Sequence, residues 1–83
     1  NQNTTLVKNL QRRKMNEKLL AAVRAHAEGQ IAKHKANVEV YLNSTTGIGE
    51  HSDIVETIEK ELNHIGHYKE QLDVLRDYFE KKD

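Results

Sequence analysis

The side chains whose types and spacing could do chemistry are His34, Glu61, His64 and His67. The run Glu61-Leu62-Asn63-His64 is an E-x-x-H. On a helix, residues three apart share a face, so such a pair can grip one ion. Di-iron carboxylate bundles use two such motifs and two further glutamates. One chain carries a single motif, and a symmetric dimer would supply the second. The glutamate required from the facing helix is missing, because Glu28 and Glu39 both point away from the face of Ile31 and Val38. His67, three residues beyond His64, could join a metal site or lie on a solvated flank.

The favoured expectation is therefore a polar layer of hydrogen bonds or an ion pair. No metal ligand set, cofactor or catalytic residue is assigned. His34, Glu61, His64 and His67 are kept as the candidates should the layer bind a metal. A buried glutamate without a partner is costly, so an opposed histidine is a sensible neighbour. His26 falls off the apolar stripe and should be exposed. His51 should serve the start of a helix. Other enzyme signatures are missing: the chain has no Cys and no G-x-S-x-G. The pair Gly47 and Gly49 is too short for a phosphate-cradling loop and follows no strand, so it reads as a turn.

These residues must be positioned by helices. Pro is absent, and the single cluster of turn residues is NSTTGIGEHS, residues 43–52. Leu20, Ala27, Ile31, His34, Val38 and Tyr41 recur at helical steps, as do Ile54, Ile58, Leu62, Ile65, Leu72, Leu75 and Phe79. The first helix is expected over about residues 5–42, capped by Thr4 or Thr5 and ended by Asn43. The second is expected over about 53–81, capped by Ser52 with Asp53 and Glu56 in its acidic first turn, or started earlier from Gly49.

Ten loop residues make the two helices antiparallel neighbours. In such a hairpin, residues at one level have a constant sum of numbers. Setting Tyr41 against Ile54 puts His34 level with Glu61, Leu20 with Leu75 and Ala27 with Tyr68. The fold class is all-α: one domain over residues 1–83, a long antiparallel helical hairpin dimerising into a four-helix bundle or coiled-coil assembly.

The same levels end the second helix near Met15 and leave residues 1–14 as a basic extension. Leu6, Val7 and Leu10 have no partner within the chain. Leu6 and Leu10 are in phase with Leu20. Met15 could serve as an initiator, with residues 1–14 as an upstream extension. Lys8, Arg12, Arg13 and Lys14 are the nucleic-acid candidates, although no aromatic is interleaved with them.

The first helix carries a second stripe behind the apolar one: Ala22, Ala25, Gly29, Ala32 and Ala36. Small side chains let backbones approach, and Gly inside a helix costs about 1 kcal/mol relative to Ala. An antiparallel crossing at Gly29 pairs Ala25 with Ala32 and Ala22 with Ala36 in both directions, as a two-fold interface requires. These five residues, with Leu6 and Leu10, are the expected interface.

Composition agrees with association. The chain has 83 residues, 36% of them hydrophobic and 31% charged. So small and polar a chain buries little surface alone, and no disulfide can staple it. The absence of Cys suits an intracellular protein. No apolar run is long enough to span a bilayer, and no signal-peptide pattern is present. The formal net charge is zero. It divides into +4 over residues 1–51, with eight bases and four acids, and −4 over residues 52–83, with five bases and nine acids. That division suits segments that pack on each other better than one nucleic-acid surface.

From Met15 onward, MNEKLLAAVRAHAEGQIAKHKANVEVYLN, GIGEHSDIVETIEKEL and QLDVLRDYF resemble small uncharacterised proteins of tailed marine bacteriophages of the myovirus type. The likeness covers residues 15–79, and GIGEHSDI is its most distinctive piece. It implies a phage origin and a place in the host cytoplasm or the virion. It brings no activity, cofactor or site residue with it.

The expected function is accordingly non-enzymatic: a small interaction or structural protein that self-associates and meets a protein partner of unknown identity, with no membrane partner. The alternatives are a nucleic-acid-associated protein using Lys8–Lys14 and a metal-binding bundle.

Overall fold

The computed structural model describes residues 2–44 and 51–80, and of residues 51 and 52 the backbone alone. Two helices run antiparallel: α1, Gln2–Asn43, and α2, His51–Tyr78. At 1.5 Å per residue, α1 is about 63 Å long and α2 about 42 Å. They form a rod of 73 × 18 × 16 Å. The expected turn at Gly47 and Gly49 lies outside the described residues.

The packing seam is a strict alternation of four- and three-residue steps. On α1 it reads Leu20, Arg24, Ala27, Ile31, His34, Val38 and Tyr41. On α2 it reads Ile54, Ile58, Glu61, Ile65, Tyr68, Leu72 and Leu75. Every one of these side chains is buried or half-buried. A period of 3.5 is the coiled-coil repeat, which holds one stripe against the partner helix. Ala27 is completely buried, and Leu75 and His34 nearly so.

Several boundaries differ from expectation. Helix α1 begins at Gln2 instead of residue 5 and runs without a break through the basic segment. Good helix formers and the absence of Gly or Pro before Gly29 allow this. Helix α2 begins at His51, so Ser52 lies within it instead of capping it. It ends at Tyr78, before the expected residue 81. The N–H groups of Phe79 and Glu80 both donate to the Leu75 carbonyl, at 2.9 and 3.0 Å, which closes the last turn.

Two residues placed on the α2 stripe do not belong to the core. Phe79 is 65% exposed, because it follows the last helical residue and stands level with the polar Asn16 and Glu17. Leu62 is 52% exposed, because the 3.5-residue seam passes through Glu61 beside it.

Candidate functional site

The polar layer is built from two adjacent turns of α1 and one of α2. His34 and Asn37 are three residues apart, so both reach the same face. Glu61 sits opposite on α2. His34 Nδ1 lies 2.5 Å from Glu61 Oε2, and Asn37 Nδ2 donates to Glu61 Oε1 at 3.0 Å. The His34 and Glu61 side chains keep 9% and 14% of their surface exposed. Both carboxylate oxygens are therefore held from α1.

An ionised carboxylate only accepts hydrogen bonds, so the proton of the short contact belongs on His34 Nδ1. The Glu61 carboxyl is held below its usual range. The His34 hydrogen bond is the largest cause, opposed by burial and aided by Asn37 and by the His34 and His64 rings. What the layer does chemically is fix the His34 tautomer and keep Glu61 ionised.

His64 lies beside His34 in this layer. Its ring stacks on that of His34, with centroids 4.4 Å apart and planes 14° from parallel. His67 belongs to the next turn. It contacts the Gln71 amide nitrogen at 3.2 Å and meets Tyr68 edge-on at 4.9 Å. Thus His34, Glu61 and His64 come together and His67 does not join them. Among the described residues, no three His, Asp or Glu side chains are grouped as a metal ion requires. His26 is exposed and meets the edge of Tyr68 at 5.8 Å.

The other candidate residues all lie on the surface. Ala22, Ala25, Gly29, Ala32 and Ala36 are exposed, and a Cβ at Gly29 would meet nothing within 4 Å. No contact within the chain therefore calls for glycine there. Leu6 and Leu10 are 59% and 53% exposed. Lys8, Arg12, Arg13 and Lys14 are exposed as well.

Sequence reasoning missed two contributors. Asn37 was passed over because it is not an apolar-stripe residue, although its place three after His34 was a usable signal. Arg24 occupies the seven-residue gap between Leu20 and Ala27, and it pairs with Glu80 just past the end of α2. No helix among the described residues is long and apolar enough to cross a membrane. No family model, curated protein or solved structure matches the chain.

Proposed function

We propose that this chain is a small, non-enzymatic, phage-encoded interaction or structural protein that works through its helix faces, beginning with self-association. The observation that carries the reading is exposed area. The chain exposes 7015 Å². A compact monomer of 9.6 kDa exposes about 5,100 Å². The excess of roughly 1,900 Å² is larger than the ~800 Å² that each partner contributes to a standard interface. The phage attribution, and with it the host cytoplasm or virion, rests on the resemblance of residues 15–79.

Sedimentation equilibrium on the full chain tests the reading. A dimer or larger species at micromolar concentration is expected. A folded monomer persisting at 100 µM overturns it.

A second reading has one observation in its favour. Lys8, Arg12, Arg13 and Lys14 are exposed on a stretch of α1 that α2 does not cover. Four phosphate contacts would make binding fall with salt at a log–log slope of about −3.6. A gel shift at low salt with the full chain tests that reading. A metal-binding bundle is the third, and metal analysis of the purified protein tests it.

A further inference from the structure

Helix α1 carries its seam repeat past the end of α2. Glu17, Arg13, Leu10 and Leu6 precede Leu20 at steps of three, four, three and four, whereas α2 has already stopped at Tyr78. Leu6, Val7 and Leu10 thus form an apolar strip that α2 does not reach, and each is more than half exposed. Lys8, Arg12, Arg13 and Lys14 surround the strip with four positive charges and no acid.

A receiving surface lies beside the seam at the same end of the rod. Val23 of α1 and Val74, Leu75 and Phe79 on the α2 side line an apolar groove of about 520 Å³. Val23 precedes seam residue Arg24, and Val74 precedes seam residue Leu75, which puts both on one flank of the antiparallel pair. They keep 49% and 42% of their surface exposed, so the groove is open to another helix. Glu70 stands in its wall and forms no ion pair among the described residues.

We infer that residues 2–14 of one copy seat in this groove of a second copy. This rests on the self-association reading and names the two unlike surfaces that meet. Length fits: 13 helical residues span about 20 Å, and the groove from His67 to Phe79 is about 18 Å long. Charge fits as well, because residues 67–80 hold four acids and two bases, a net −2 against the +4 of the overhang. The overhang cannot reach its own groove, because α1 is one unbroken helix and carries it away from the hairpin. A contact between two different faces is heterologous, so one copy can give and receive at once, and assembly passes beyond a dimer.

The absence of cysteine permits a direct test. Val7 lies near the middle of the overhang and Val74 near the middle of the groove, so the two meet whichever way the segment runs. Val7→Cys, Leu10→Cys and Val74→Cys are made separately in the full chain. Each is oxidised alone, and each overhang variant is oxidised in a mixture with Val74→Cys. A disulfide needs Cα atoms within ~7 Å, and Leu10→Cys supplies a second position, one turn along, should Val7→Cys be badly aimed. Sedimentation is run in parallel on the reduced proteins. The expected result is strong cross-linking in at least one mixture and little in any protein alone. Strong self-linking of an overhang variant would set overhang on overhang, and self-linking of Val74→Cys would set groove on groove; either overturns the inference. Association in sedimentation with no link in either mixture would place the contact on another face, sinking the inference and leaving the self-association reading intact. A monomer at 100 µM would sink both and leave the overhang to a different partner.

Discussion

His34 and Glu61, 27 residues apart in the chain, meet across the hairpin with Nδ1 and Oε2 separated by 2.5 Å. Asn37 holds the other carboxylate oxygen. A polar pair thus occupies consecutive facing positions of an otherwise mainly apolar seam. Polar seam residues of this kind set register at some cost in stability.

The Glu61 carboxyl should titrate below the ordinary glutamate range when followed by 13C NMR. Its hydrogen bond from His34 is the largest cause, so His34→Ala should move it back up. If Glu61 titrates in the ordinary glutamate range in the parent chain, the hydrogen bond is absent in solution.

The same shift has a consequence for acid stability. A carboxyl depressed in the folded state stabilises the fold above the ordinary carboxylate range and loses that contribution as pH falls through its folded value. The parent chain should therefore lose melting temperature on acidification more steeply than Glu61→Gln. Parallel acid limbs for the two proteins would refute this.

Single and double replacement of the pair should have opposite signs. Glu61→Leu alone leaves Asn37 and His34 without their acceptor, and His34→Leu alone leaves Glu61 half-satisfied, so each should lower the melting temperature. The double change His34→Leu with Glu61→Leu removes the desolvated pair and extends the apolar seam, so it should melt above both singles and at or above the parent. A double variant less stable than either single would show that the pair is worth more than its desolvation costs.

Gly29→Leu should keep its helicity by circular dichroism, because a side chain there meets nothing within the chain. It should weaken association at least tenfold by forcing the paired backbones apart. Gly29→Ala should stabilise the helix by about 1 kcal/mol. Association of Gly29→Leu as tight as the parent's would return this face to solvent.

Residues 2–14 of α1 project beyond the last turn of α2. A chain beginning at Met15 should then keep the hairpin and the dimer while losing species larger than a dimer. Leu6, Val7 and Leu10 are more than half exposed, and acidic Asp73, Asp77 and Glu80 of a further copy are the best-matched surface for the bases around them. Assembly unchanged by the truncation, together with lost DNA or RNA binding, would favour the nucleic-acid reading.

Periodicity by itself determined the two helices and the way they face each other. Apolar residues recur at steps of three and four from Leu20 to Tyr41 and from Ile54 to Leu75, with a seven-residue gap in each run, and a constant sum of residue numbers then sets His34 against Glu61. These are properties of a repeat and a rise, and both can be read along one dimension. The tertiary structure alone decided what the polar side chains do at those levels. His64 stacks on His34, and Asn37 takes the second carboxylate oxygen of Glu61. Arg24 fills the seam position between Leu20 and Ala27 and pairs with Glu80, beyond the last turn of α2. Helix α2 stopped at Tyr78 because the Leu75 carbonyl received two N–H donors. Each of these outcomes depends on which side-chain and backbone atoms come within reach of each other, and that is decided by positions in three dimensions.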